Sequence, residues 1–171
     1  MTPRINSAGP LDVIPRAALF SCTAAGPRAL NYDLHMLPVA LVFAFIAAAL
    51  HVYIFVLESI TWTTPKTWRT WRTFNVPSQE AANITRPWAY NQGFYNLFLA
   101  LGAFLGVLLV GIGASAGSVI AGWALLFSSC GSMLLAAAVL AQTGGKSIRP
   151  TIVQGTTPFV AVAFGLLAVA G

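Results

Sequence analysis

The sequence predicts an all-α integral membrane protein, a four-helix bundle with a short interfacial helix in its first cytoplasmic loop. Of its 171 residues, 57% are hydrophobic and only 8% are charged, whereas soluble domains usually carry about 25% charged residues. Four apolar stretches are long enough for a membrane helix, which needs about 20 residues. Soluble core helices would show polar outer stripes, and these stretches show almost none.

Turn and charge signals separate the four predicted spans, which cover residues 37–60, 91–114, 119–141 and 152–170. The intervening segments are TTPKTWRTWRTFNVPSQEAANITRP, SAGS and QTGGKSIRP. Residues 36–171 would therefore form one membrane domain. Residues 1–35 are rich in Pro, Ala and Arg, and we expect them to be a disordered extension. They contain no apolar segment typical of a signal peptide, and Met36 is a candidate for the true start.

Basic residues near the spans predict the orientation of the bundle. The first loop contains four Lys or Arg residues and the third contains two, whereas the second contains none. Under the positive-inside rule, the first and third loops face the cytoplasm of a bacterium and both termini lie outside. This bias explains the formal charge of +5 better than nucleic-acid binding does, because the basic residues flank apolar runs. Two distant cysteines give no metal or redox motif.

The first loop repeats TWR in tandem, which predicts a short helix lying in the headgroup layer. Trp68, Trp71 and Phe74 recur at every third position, on one side of a helix, and Arg69 and Arg72 lie beside that side. Such a helix would insert its aromatic rings into the bilayer. Its arginines would bind anionic headgroups at the cytoplasmic face.

Other residues of the first loop predict helix boundaries and the membrane interface. Trp62 and Trp88 flank the loop, where aromatic residues typically mark the edge of the bilayer. Ser78 is a candidate N-cap of a second short helix, which we expect to end near Pro87.

Glycines in the second predicted span indicate close helix packing. Gly102 and Gly106 form a GxxxG spacing, and Gly93 lies further towards the start of the span. Small residues at this spacing allow two helix backbones to approach each other. The spacing predicts a central place in the bundle, and it is equally compatible with the face of a homodimer.

Side chains with several hydrogen-bonding groups gather at the predicted cytoplasmic end of the bundle. Glu58 ends the first span, the second span begins there with NQGFYN, and a glutamine lies at that end of each remaining span. Ionisable residues within a membrane are costly and indicate function by default. We predict a binding pocket formed by His51, Glu58, Gln92, Tyr95, Asn96, Gln142 and Gln154.

His51 and Glu58 are seven residues apart, about 700° of helical rotation, so they are predicted to share a face. Their α-carbons would lie about 10.5 Å apart along the axis, too far for a direct hydrogen bond. We therefore expect a water, a ligand or a side chain of another helix between them. Two simpler interpretations remain. One neighbouring group could satisfy the hydrogen bonding of a neutral His51, and Glu58 could be an interfacial residue that reaches the lipid headgroups.

Several motifs resemble a known family. They are H-x-x-I-x-x-x-E, a following Trp and Pro, NQGFYNLFLALG, a glycine-rich turn and VQ-x-x-x-P. Together they resemble the short four-span bacterial membrane proteins filed as domain of unknown function 1304, from about Leu37 to the C-terminus. The resemblance implies four spans and a chain start just before the first, but no established activity. The N-terminal extension and the TWR repeat depart from the family pattern. Motif positions are matched by His51, Glu58, Asn91, Gln92, Gly93, Tyr95 and Asn96.

Three hypotheses for function follow from the polar end. The first is binding or transport of a small molecule, with Glu58 as a proton or cation site and His51 as a deeper relay. The second is a structural or accessory subunit in which the polar cluster only fixes helix packing. The third is a redox component that binds a quinone through His51, Tyr95 and Glu58. No nucleotide loop, haem-type histidine pair or metal cluster indicates an autonomous enzyme, so no catalytic residue or cofactor is assigned.

Overall fold

The computed structural model describes residues 35–64, 70–143 and 148–170, and these residues form a bundle of four long helices. Within these ranges the chain contains helices and turns and no strand. All four helices are long and apolar enough to cross a membrane, by length and composition. The predicted all-α membrane bundle is confirmed. The predicted disordered extension lies outside the described residues except for His35.

The first helix, α1, spans Met36–Phe55 and continues as a π-helical segment over Val56–Ile60. The backbone N–H of Thr61 donates to the carbonyl of Val56, five residues earlier, at 2.9 Å. A π-helical turn contains more residues than an α-helical one and occurs frequently at functional sites. The π-helical segment also changes the angle about the helix axis between the His51 and Glu58 side chains, compared with a regular α-helix.

The short helix α2 spans Thr70–Thr73 and lies in the first loop, as the sequence predicts. The expectation that Trp71 inserts its ring into the bilayer was wrong, because Trp71 is buried in a cluster with Trp62, Ala82 and Ala89. The Arg72 guanidinium lies 5.2 Å from the centre of the Trp71 ring. Trp68 and Arg69, which the TWR repeat assigns to the same helix, lie outside the described residues.

The third helix, α3, spans Gln79–Ile112 and is much longer than the predicted span. Ser78 caps it, since the Ser78 hydroxyl accepts from the N–H of Ala81 at 3.1 Å. The expectation of a short helix ending near Pro87 was wrong, because the helix continues through the proline. Pro87 has no N–H to donate to the carbonyl of Asn83, four residues earlier. Just before that position, the Trp62 indole donates to the carbonyl of Ala82 at 3.0 Å.

A short turn joins α3 to α4, which spans Ala116–Thr143. Gly113 ends α3 with φ 61°, a left-handed conformation in which glycine avoids the steric penalty of a Cβ. The start of α4 is capped reciprocally: Ser118 N–H donates to the Ser115 hydroxyl at 3.1 Å, and Ser115 N–H donates to the Ser118 hydroxyl at 2.9 Å. The last helix, α5, spans Arg149–Ala170.

The four long helices form a ring in which α1 and α4 each pack against both α3 and α5. The contact surface consists largely of small residues, and α1 contributes four fully buried alanines. At the α3–α4 contact, a Cβ on Gly106 would lie 2.8 Å from the backbone nitrogen of Leu126. In lipid, the hydrophobic effect does not drive helices together, and van der Waals contact between them stabilises the packing instead. Small residues favour this contact because they let the helix backbones approach each other closely. Large apolar side chains cover the outside, among them Phe45, Phe98, Leu101, Leu105, Leu108, Leu135, Val139, Phe159 and Leu166.

Candidate functional site

Glu58 lies in the π-helical segment and is buried against α3. The Asn96 side-chain amide donates to Glu58 Oε2 at 2.9 Å and also to the backbone carbonyl of Gln92 at 3.1 Å. Among the described residues, no cation forms an ion pair with the carboxylate. Glu58 is therefore a buried acid with one neutral hydrogen-bond donor. We call the end of the bundle that carries it the Glu58 end.

The position of Glu58 depends on close packing between the π-helical segment and α3. A Cβ on Gly93 would contact the Ser59 hydroxyl and would lie 3.1 Å from the Glu58 Cβ. Because Gly93 has no side chain, Ser59 can donate to the backbone carbonyl of Tyr90 at 2.9 Å. The GxxxG glycines act further along: Gly102 faces the Ser129 hydroxyl, and Gly106 faces the backbone of α4.

A shallow, wide-open cavity of about 350 Å³ lies at the Glu58 end, and Glu58 is one of its lining residues. This volume is at the small end of the usual range for ligand pockets, roughly 300 to 1,000 Å³. The residues come from the π-helical segment, the first loop and the start of α3. We call this cavity the Glu58 groove, and it is lined by Glu58, Trp62, Phe74, Val76, Thr85, Trp88, Ala89 and Gln92.

Hydrogen bonds and ring contacts hold the walls of the Glu58 groove. The Trp62 and Phe74 rings have centroids 5.3 Å apart and planes tilted by 49°. The buried Trp71 indole, behind this wall, donates to the Gln79 side chain at 3.2 Å. The hydroxyl of Thr61 is 3.0 Å from that of Thr70, which connects the end of the π-helical segment to α2. The described part of the first loop, residues 61–64 and 70–78, therefore packs on the bundle beside the groove.

His51 does not line the Glu58 groove; it is fully buried within the bundle. Its Nδ1 lies 2.8 Å from the backbone carbonyl of Ala47. A carbonyl only accepts, so Nδ1 carries the proton in this bond and Nε2 of the neutral ring is an acceptor. In the described part of the chain, Nε2 has no hydrogen-bond partner.

The other predicted pocket residues lie in varied surroundings. Gln92 lines the groove, and Asn96 lies beneath it as the donor to Glu58. Tyr95 is 56% exposed and does not line the groove. Gln142 is exposed and Gln154 is half-buried, and neither contributes to the lining. The structure therefore brings together three of the seven predicted residues: Glu58, Gln92 and Asn96.

Comparison with known families agrees with the motif resemblance. The sequence model of a family described as Protein of unknown function (DUF1304) matches residues 45–166. The chain belongs to this family. The matched segment includes all four long helices in whole or in part, together with the complete lining of the Glu58 groove. No curated protein and no solved structure matches the chain.

Sequence reasoning missed several residues of the groove within this DUF1304 segment. The aromatic pattern assigns Phe74 and Trp88 to the membrane interface, yet both line the groove. Thr85 and Val76 belong to none of the sequence motifs, although both also line it. For the residues on α3, a helix that starts after Ser78 would have been enough to predict the shared lining. Thr85, Trp88 and Gln92 follow one another at three- and four-residue spacing, so they lie along one face of that helix.

Proposed function

We propose that the protein binds a small molecule in the Glu58 groove. The single observation that carries this proposal is the shallow, open groove of about 350 Å³ whose lining includes the buried residue Glu58. Mostly apolar walls with a few placed polar groups are typical of small-molecule sites. Here Glu58, Thr85 and Gln92 supply the polar groups, and aromatic rings supply much of the remaining wall.

We further propose that the Glu58 groove faces the cytoplasm. Arg72 and Arg86 lie at the Glu58 end, whereas the turn between α3 and α4 at the other end has no charged residue. The positive-inside rule favours the cytoplasm for the end with the basic residues. A ligand would therefore reach the groove from the cytoplasm or from the inner leaflet.

Packing beyond the groove favours binding over passage through a single chain. The lining stops at Glu58 and Gln92, and the fully buried side chains deeper in the bundle include His51, Leu126 and Met133. Close-packed interiors leave few voids larger than a water molecule. Transport would therefore need a second copy or a rearranged bundle, so the proposal is limited to binding.

Equilibrium dialysis tests the proposal. The full chain in lipid nanodiscs is dialysed against a defined mixture of polar metabolites, and enriched compounds are identified by mass spectrometry. We expect at least one compound to be enriched over empty nanodiscs, to be lost with Glu58→Gln and to be retained with Glu80→Gln. Glu80 is the matched control, because it is exposed on α3 and does not line the groove. No enrichment, or equal enrichment by both variants, would contradict the proposal.

A second candidate function is structural, and a specific set of contacts favours it. The Asn96–Glu58 bond and the Ser59–Tyr90 bond both join the π-helical segment to α3. Buried polar groups sometimes fix the register of packed helices rather than bind a ligand. In that case Asn96 and Glu58 would affect folding alone, with no compound enriched by the wild-type chain.

A further inference from the structure

We infer that the ligand of the Glu58 groove carries an ammonium group, as in an organic amine or a quaternary ammonium compound. This inference rests on the proposed binding function and names its ligand class. One acidic residue, Glu58, and three aromatic residues, Trp62, Phe74 and Trp88, line the same small groove. Aromatic cages with an acidic group are the recurring protein solution for such cations.

The charge of the Glu58 groove favours a cationic ligand. Glu58 is the one ionisable side chain among the described lining residues, and Asn96 gives it only a neutral donor. Oε1 of Glu58 receives no hydrogen bond from the described residues. A buried carboxylate without a counter-charge is costly. A cationic ligand would supply the charge that the described residues do not provide.

The aromatic residues of the Glu58 groove also favour a cationic ligand. Trp62 follows the π-helical segment, Phe74 follows α2 and Trp88 lies on α3, so three separate segments contribute rings. Trp62 and Phe74 pack against each other, with ring centroids 5.3 Å apart and planes tilted by 49°, and Trp88 adds a further ring to the lining. A lining rich in aromatic rings suits a compact cation, since a ring face attracts it through the ring quadrupole.

The ammonium group has two possible sources, because the groove lies at the end of the membrane-crossing part of the bundle. One source is a free organic ammonium compound from the water phase. The other is the headgroup of a lipid such as phosphatidylethanolamine or phosphatidylcholine. Trp88 is 71% exposed, so the groove has an aromatic edge that a lipid headgroup or a soluble compound can reach.

Paired probes of equal shape test the inference. Choline and 3,3-dimethyl-1-butanol differ in charge but share nearly the same outline. Their affinities for the full chain in phosphatidylglycerol nanodiscs are measured by isothermal titration calorimetry. We expect choline to bind about two- to fivefold more tightly than the neutral alcohol, since cation–π attraction at a partly exposed site is of this size. Glu58→Gln should remove this preference, and Glu80→Gln should keep it.

A second pair of variants keeps the test decisive if Glu58→Gln fails to fold. Trp88 is exposed, so its replacement should leave the bundle intact. Trp88→Phe keeps an aromatic ring and should retain most of the preference for choline. Trp88→Leu keeps an apolar side chain without a ring, so it should weaken choline binding several-fold and leave the neutral alcohol unaffected.

Repeating the titration in phosphatidylcholine nanodiscs assigns the source. Weaker choline binding there than in phosphatidylglycerol would support a lipid headgroup as the occupant, and unchanged binding would support a free compound. Equal affinity for choline and the neutral alcohol would overturn the inference. If metabolites are still enriched by dialysis in that case, the binding function stands with another ligand class. If neither probe binds and no metabolite is enriched, both proposals fail.

Discussion

Replacement of Gly106 by alanine should strongly weaken the contact between α3 and α4. A Cβ there would lie 2.8 Å from the Leu126 backbone nitrogen, 2.9 Å from the Gly122 carbonyl oxygen and 3.1 Å from the Leu126 Cα. All three atoms belong to the backbone, so no side chain can rotate away. The two helices would have to separate by a few tenths of an ångström, which would disturb neighbouring contacts along the interface.

The expected loss of stability follows from two opposing effects. Alanine is favoured over glycine within a helix by about 1 kcal/mol. Overpacking of a close-packed interior costs about 1–3 kcal/mol, and occasionally more. Gly111 lies on the same helix with nothing within 4 Å of an added Cβ, so Gly111→Ala carries the propensity effect alone. We therefore expect Gly106→Ala to be less stable than Gly111→Ala by about 1–3 kcal/mol.

Reversible unfolding in mixed micelles measures this difference. The full chain and both variants are titrated from dodecyl maltoside into sodium dodecyl sulfate, and helix content is followed by circular dichroism. The difference between the two variants cancels most of the change in helix propensity. Equal midpoints for Gly106→Ala and Gly111→Ala would refute the close approach of α3 and α4 at this position.

Two further predictions concern the start and the middle of α3. Ser78→Ala removes the acceptor for the Ala81 N–H, which should cost about 1 kcal/mol and speed amide exchange in the first turn of α3; Ser78→Asp should retain the protection. Asn96→Leu leaves Glu58 Oε2 without its donor and should destabilise the bundle by about 1–3 kcal/mol. The double replacement Glu58→Met with Asn96→Leu should recover most of this loss, and strictly additive losses would contradict coupling between the two residues.

The sequence predicts the membrane-spanning bundle well because its signal is strong and local. Apolar runs of about 20 residues are typical of membrane helices and rare in soluble domains. The charge-free segment SAGS, residues 115–118, predicts a short connection; the structure places the turn slightly earlier, at residues 113–115, with Gly113 in a left-handed conformation. The cap at Ser78 could also be predicted, because a hydroxyl before a helix is a short-range pattern. Each of these features depends on residues close together in the chain.

The features that sequence reasoning missed depend on contacts between distant segments. Pro87 predicts a helix end from its own chemistry, but α3 continues through it and packs against α1, α4 and the π-helical segment. The π-helical segment is likewise set by packing, since Gly93 of α3 admits Ser59 against its backbone. No periodicity within one segment of the sequence encodes either event.

Glu58 and His51 have separate surroundings despite their seven-residue spacing. In a regular helix the two would share a face, and a single polar path from groove to core would follow. Instead Glu58 turns towards Asn96 and the groove, whereas His51 bonds to its own helix at Ala47. A relay through His51 would therefore need the bundle to rearrange. Binding in the Glu58 groove needs no rearrangement, because Glu58 already lines this open groove.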